Sequence, residues 1–448
     1  MITKTIKSKY IITEGKRIDG KFFLNNDALL SLTMRENSDK CSPLSKFAFV
    51  FNPPVFKRQF CQNTPNAVQY FQSSDVPAAS EQSSVFINKK QAEKVNAIVK
   101  ENQILVTGFG TIGNVRLVSK LQEGVAYANN TCRIEVNHNF NYGFIYAFMA
   151  SKYGKAQLNN NGSGSVVRYI EAPGIKRTLI PIFPENKQLE IHNLIVESAE
   201  LRVEANKLQL EAIELFEKML PAIGQTKQYV STIGNLSRNN LRFDASTNFT
   251  NIELFYNKLT AKYNIPTIEE LSEKVFTPNI FKRLRVDNPV FGIPFLSGSD
   301  LLDAMPTFNS FLSKRMKNID DYILRNGWIA IQDAGTIGYI TLVNGYLDGV
   351  AATNNLVRIV PKKTSANYYI YAFLKTQQGQ AILKSYEYGS VQKHIDNNQV
   401  SQIKIPILPE YEIITNKMSE YLRKTTEACN KENQAIQLVE NEIEQWQH

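Results

Sequence analysis

Gly110-Thr111-Ile112-Gly113 recurs as Gly335-Thr336-Ile337-Gly338, 225 residues later, and that interval decides the fold. The same offset carries Gly124-Val125 onto Gly349-Val350, Asn129-Asn130 onto Asn354-Asn355 and Arg133 onto Arg358. It carries Ile145-Tyr146-Ala147-Phe148 onto Ile370-Tyr371-Ala372-Phe373, and Gly164-Ser165-Val166 onto Gly389-Ser390-Val391. Upstream, Phe56-Lys57-Arg58 meets Phe281-Lys282-Arg283, Ser74-Asp75 meets Ser299-Asp300, and Arg17 and Asp19 meet Arg242 and Asp244. Ile180-Pro181-Ile182 with Pro184-Glu185 returns as Ile405-Pro406-Ile407 with Pro409-Glu410. One register over so many separated matches, with two intervals nearly filling 448 residues, makes the chain a tandem repeat of one unit.

Each copy has the same order of elements. Short strand-like runs such as ILVTG, VRLVS and CRIEV sit among Gly and Asn turns, and a helical run follows around NYGFIYAFMASKYG. From Lys187 to Leu220 there is neither Gly nor Pro, until Pro221, and Leu194, Leu201, Leu208 and Leu215 recur every seven residues. That spacing predicts a long helix with a helix-pairing seam. After Pro409 the second copy offers Leu422, Cys429, Ile436 and Ile443 at one heptad position, and Met418, Thr425, Val439 and Trp446 at the other, where Glu432 interrupts the row. A helix of this length spans roughly 50 Å, more than internal packing of such a domain requires. Two such helices, each closing one copy, are expected to pair with each other, in either direction. The expected fold class is α+β. Its parts are mixed domains at 1–186 and 226–411, and long connector helices at 187–225 and 412–448.

The chain holds 51 Lys and Arg against 42 Asp and Glu, a charge of +9, with 43% hydrophobic and 10% aromatic residues. Its 25 Phe and 20 Tyr exclude a mainly disordered chain. No stretch reaches the length of a membrane span and the start lacks a secretory signal, so a cytoplasmic protein without membrane partners is expected. The charge is uneven. Residues 1–186 carry 23 basic and 13 acidic residues (+10), and residues 226–411 carry 20 and 15 (+5). Residues 187–225 and 412–448 carry 4 and 7 each (−3). Basic heads suit a polyanion, whose binding releases counterions. Two similar heads suit duplex DNA, which offers half-sites spaced along its axis.

Motifs for catalysis are weak. The glycines of Gly108-Phe109-Gly110-Thr111-Ile112-Gly113 spell a dinucleotide-type turn, but the second copy begins with Asp333 and strands follow, so a turn between strands is expected. Asn52-Pro53-Pro54-Val55 approximates the tetrapeptide of amino-group DNA methyltransferases but ends in Val, and its counterpart is Thr277-Pro278-Asn279-Ile280. Glu185-Asn186-Lys187 lacks the upstream acidic partner of a nuclease site. The four cysteines form no CxxC pair and the four histidines lie far from them, so neither a zinc site nor a disulfide framework is expected.

The order of parts, the duplication, the Gly-Thr-Ile-Gly turns, the Gly-Ser-Val stretches and the Ile-Pro-Ile-x-Pro run before each long helix resemble the specificity subunits of type I restriction-modification systems. The resemblance spans the whole chain. It implies two target-recognition domains that each read half of a split DNA sequence, joined by antiparallel helices that fix the unread spacer. It also implies a subunit without catalysis or cofactor of its own. Two methyltransferase subunits, which bind S-adenosylmethionine, would dock on the helices, and a motor-nuclease subunit can be recruited. Two other readings stay open: a DNA methyltransferase in its own right, and the specificity subunit of a related system with a fused methyltransferase-nuclease.

Arg168 and Lys393 follow the Gly-Ser-Val stretch at the same place in each copy, where a cation can hold a phosphate and Ser165 or Ser390 can add a hydroxyl contact. Further DNA-binding candidates are Lys57 and Arg58, Lys176 and Arg177, Lys282, Arg283 and Arg285, and Lys314, Arg315 and Lys317.

Overall fold

The computed structural model describes Ser8, Ile11 and residues 25–80, 82–162, 168–224, 252–335, 337–389 and 393–447. It divides into unit 1, Met1–Val203 with Ala428–His448, and unit 2, Glu204–Glu427. No helix of the described residues is long and apolar enough to cross a membrane.

In unit 1 an antiparallel sheet runs in the order Ala48–Phe51, Thr131–Val136, Ile104–Thr107, Val115–Leu117. All four residues of Ile104–Thr107 are buried, as the unbroken apolar run requires of a strand covered on both faces. A second sheet runs Phe60–Cys61, Phe86–Asn88, Ala67–Phe71, Ala126–Tyr127, its last pair parallel. The helical run breaks into Tyr142–Ala150 and Lys152–Asn161, because Ser151 is extended and its hydroxyl accepts from the Gly154 amide to cap the second helix. Phe144, Phe148 and Tyr153 pack with Ile104 and Ile134 in the main core.

Unit 2 repeats this strand for strand. Its sheets run Ser272–Phe276, Leu356–Pro361, Ile329–Gln332, Ile340–Leu342 and Arg285–Val286, Phe311–Ser313, Gly292–Leu296, Ala351–Ala352. Every strand begins at the position the 225-residue offset gives, within one residue, and pairings such as Val106 with Cys132 return as Ile331 with Val357. The Gly-Thr-Ile-Gly segments are the turns between antiparallel strands, with φ of +75° and +84° at Gly110 and Gly113 and +76° and +86° at Gly335 and Gly338. Only glycine adopts these angles without strain, which is why the turn text survives in both copies.

One buried cation sits at the heart of each unit. Arg133 is fully buried and donates to the carbonyls of Ala97 (3.0 Å), Tyr127 (2.9 Å), Ala128 (3.1 Å) and Thr131. Arg358, also fully buried, reaches Tyr322 (3.5 Å), Ala352 (3.3 Å), Thr353 (3.1 Å) and Leu356 (3.1 Å). These are the same four positions under the offset. Each arginine leaves one sheet and holds the carbonyls that end the parallel strand of the other. Burial pulls both guanidinium groups down to about 10, so they stay protonated near neutrality.

The long helices run Glu185–Met219, stopped before Pro221, and Tyr411–Glu444. Within unit 1, Phe183 meets Trp446 (6.1 Å between rings) just before the first helix, while Ser198 further along donates to Ala428 (2.8 Å), so the two segments run antiparallel. Within unit 2, Glu204 pairs with Lys424 and Glu211 with Lys417 (2.5 Å each), seven residues forward on one helix and seven back on the other.

The buried heptad row on the first helix is Ile191, Ser198, Ala205 and Ala212. Leu194, Leu201, Leu208 and Leu215 flank it half-buried; Leu194 packs on the unit 1 core and Leu215 on the unit 2 core. The seven-residue spacing fits both rows equally, and the small residues win because they let the backbones approach. On the second helix Leu422, Cys429 and Ile443 are buried and Ile436 is half-buried.

Candidate nucleic-acid interface

Each unit displays a basic strand pair at the edge of its second sheet. In unit 2, Lys282, Arg283 and Arg285 lie on or beside the edge strand Arg285–Val286, and Lys314, Arg315 and Lys317 follow its partner Phe311–Ser313; all six are exposed. Arg285 pairs across the ladder with Leu312, so both trios share one pair of strands. In unit 1 Lys57 and Arg58 precede the equivalent edge strand, and its partner Phe86–Asn88 is followed by exposed Lys89 and Lys90. Sequence reasoning passed over Lys89 and Lys90, although they fall on Lys314 and Arg315 under the same offset.

Some of these cations are fixed by their own units. Arg58 lies over the Tyr70 ring (5.5 Å) and its Nε donates to the Tyr70 hydroxyl (2.5 Å). Arg283 lies over Phe295 (5.1 Å) and its Nη2 donates to Thr353 (3.4 Å). Arg285 lies over the same ring (5.8 Å) and donates to Ser310 (2.8 Å). Lys314 donates to the Val290 carbonyl (2.9 Å). None of the cations on these edge strand pairs has an ion-pair partner among the described residues. On the long helices, by contrast, Arg202, Lys218, Lys417, Arg423, Lys424 and Lys431 all pair with glutamates.

A second group surrounds the glycine turn of unit 1. Arg168 donates to the Asn159 carbonyl, and its own carbonyl accepts from Gly110 (3.2 Å). The neighbouring rings Phe109 and Tyr169 stack at 5.6 Å, half exposed. Lys176, half-buried, lies over Phe49 (5.8 Å), and Arg177 is exposed. In unit 2 Lys393 pairs with Glu387 (3.3 Å). Arg168 and Lys393 are therefore both partly engaged within their own units, Lys393 by a carboxylate. Ser165 and Ser390 lie outside the described residues.

The methyltransferase-like tetrapeptide is structural. Asn52 donates to the Asn129 carbonyl (3.3 Å) and accepts from the Ala172 amide (2.9 Å), which occupies the amide group that chemistry would need. Pro53 is buried, and Val55 and its counterpart Ile280 stand 87% and 90% exposed at the loop tips.

The aspartate that displaced the first glycine of the turn has a cost. At Gly108 a Cβ would lie 2.7 Å from the Asn130 carbonyl and 2.8 Å from that of Ile170. Asp333 occupies the equivalent place, its amide to Asn355 stretched to 3.4 Å where Gly108 to Asn130 is 2.9 Å. Burial pushes its carboxyl up to about 6 against the opposing charge of His394, and its Oδ1 has no partner among the described residues. A carboxyl raised in the folded state favours folding below its unfolded pKa near 4, and that contribution is lost as pH rises through about 6. Asp333→Asn is therefore expected to stabilise unit 2 at pH 7.5 and to change little at pH 4. Urea midpoints at both values check this, and a gain that is equal at both would contradict it.

A model of the type I restriction modification DNA specificity domain matches residues 261–438. No curated protein matches the chain. Among solved structures it is similar to the S subunit of a type I restriction-modification system from M. genitalium, at 14% identity and a TM-score of 0.32, covering 89% of this chain and 92% of that one. It is also similar to the HsdS subunit from Thermoanaerobacter tengcongensis, at 14% identity and a TM-score of 0.29, covering 90% and 95%. Residues 261–438 thus match the type I restriction modification DNA specificity domain, and each strand described within them has a counterpart in residues 36–213, their equivalent under the 225-residue offset.

Proposed function

We propose that this chain is the DNA-specificity subunit of a type I restriction-modification complex, each unit reading one half of a bipartite duplex site. The observation that carries the reading is the pair of equivalent edge strand pairs whose cations meet no carboxylate among the described residues, one of them within the residues matched to DNA specificity. A cation beside a phosphate gains by releasing counterions, and Lys and Arg along a sheet edge can follow a groove. The long helices serve as docking surface for two methyltransferase subunits and as the determinant of the unread spacer. S-adenosylmethionine belongs to those partners, a motor-nuclease subunit completes cleavage, and the assembly works in the cytoplasm.

The test is a map of methylated adenines across the genome of the source cell with the gene intact and deleted. One split motif that loses methylation on deletion is the expected result, and an unchanged map would defeat the proposal. Arg168→Ala and Lys393→Ala are expected to weaken DNA binding by about three- to ten-fold without altering the motif, as phosphate contacts do. A changed half-site in either variant would show base contact instead.

A further inference from the structure

Arg58 and Arg283 occupy the same position in the two copies, and so do the rings beneath them, Tyr70 and Phe295. Both rings are almost wholly buried. They stand on Ala67–Phe71 and Gly292–Leu296, the strands that pair in parallel with Ala126–Tyr127 and Ala351–Ala352. The carbonyls ending those partner strands are the ones gripped by the buried Arg133 and Arg358. The support under each surface arginine is thus tied into the core by a second arginine. Among the described residues, Arg58 and Arg283 each spend one of their five N–H donors on a neighbour, and neither meets a carboxylate.

We infer that Arg58 and Arg283 are base-reading residues, one per unit, each directing its guanidinium fork at the N7 and O6 of a guanine in its own half-site. This rests on the DNA-specificity reading above and deepens it. A phosphate is served by a flexible point charge, and Lys57 and Lys282, exposed immediately before each arginine, supply one. A planar fork pinned against a buried ring has a fixed plane and few rotamers to lose, which is what bidentate recognition of a purine edge in the major groove demands. Val55 and Ile280, three residues upstream in each copy, are exposed aliphatic groups, suited to contact a thymine methyl rather than a phosphate. The recognised motif is accordingly expected to contain a G·C pair in each half whose identity depends on one of these arginines.

The experiment repeats the methylation map with R58K and R283K expressed in place of the wild type. Lysine keeps the charge and the aliphatic stem over the ring and removes the fork. R58K is expected to admit other bases at one guanine of one half-site and leave the other half intact, and R283K to do the converse. A second measurement covers a variant that methylates nothing. The wild-type complex of this chain with its methyltransferase is titrated with duplexes carrying 7-deazaguanine at each motif guanine, which deletes the N7 acceptor. Roughly ten-fold weaker binding is expected at one position per half. Full affinity at every substituted guanine overturns the inference. So does a gene-dependent motif that stays unchanged in both variants while fewer sites are methylated, since the arginines would then be phosphate contacts. A methylation map that ignores the gene altogether overturns the underlying function and this inference with it.

Discussion

Arg133→Leu is expected to destabilise unit 1 by about 3–5 kcal/mol, and Arg358→Leu to do the same to unit 2, in urea unfolding followed by hydrogen exchange of each sheet. Leucine matches the burial and removes every donor. Four carbonyls per unit then lose their partner in a place water does not reach, and each such acceptor costs about 1–3 kcal/mol, partly offset because a desolvated cation is removed as well. Lysine in the same place is expected to recover little, since one ammonium group does not span four carbonyls spread over two chain segments. The damage has a direction: the parallel strand Ala126–Tyr127 loosens first, and the Tyr70 platform that supports Arg58 goes with it. A loss below about 1 kcal/mol would mean that water or local rearrangement replaces the clamp.

The second large effect is expected at Glu432. Its carboxylate, 4% exposed, pairs with Arg202 at 2.6 Å and accepts from the Tyr146 hydroxyl at 2.5 Å, all within unit 1. Burial and then the Glu432 charge push the Tyr146 phenol well above its usual range, so it remains a donor at any physiological pH. Glu432→Ala should cost about 3–5 kcal/mol, because it strands a largely desolvated guanidinium whose Nη2 already lacks a partner among the described residues. The double variant R202M/E432L is expected to regain most of that loss, as apolar replacement of a buried ion pair commonly does. If the double variant proves as unstable as the single one, packing rather than an uncompensated charge explains the cost. The offset places exposed Lys207 opposite this position, so the device belongs to unit 1 alone. A seven-residue slip of either helix would put Ile195 or Gln209 in the place of Arg202 and leave the Glu432 carboxylate without its cation, which makes the pair a register key for these segments.

The duplication and the presence of the long helices were legible in the text because each leaves a periodic or repeated mark. Turn glycines recur because their φ admits little else, and Pro221 stops a helix wherever it stands. Less visible was anything decided by competition between equivalent patterns. Leucines every seven residues pointed to the helix contact, yet Ser198, Ala205 and Ala212 share that period and fill it. Arg133 and Arg358 matched as letters, but nothing in the letters distinguishes an arginine under a sheet from one on its surface; burial does, together with a carbonyl 36 residues upstream, Ala97 or Tyr322, that joins three nearby ones. Lys89 and Lys90 were overlooked for want of applying the offset outward from Lys314 and Arg315. Glu432 was noticed as an interruption, and its partners Arg202 and Tyr146 lie 230 and 286 residues away, beyond any local reading.

The composition of unit 1 also sets an order of events at the ribosome. Its core includes Ala435, Val439 and Ile443, so the first unit to be translated is the last to be completed. At roughly 5–20 residues per second, more than ten seconds separate the synthesis of Val203 from that of Ala428, during which Ile191 and Ile195 wait without their partners while the whole of unit 2 is made in one uninterrupted stretch. A premature stop near the C-terminus would therefore injure the N-terminal unit, and the nascent chain is most exposed to chaperones and proteases at the segment made earliest.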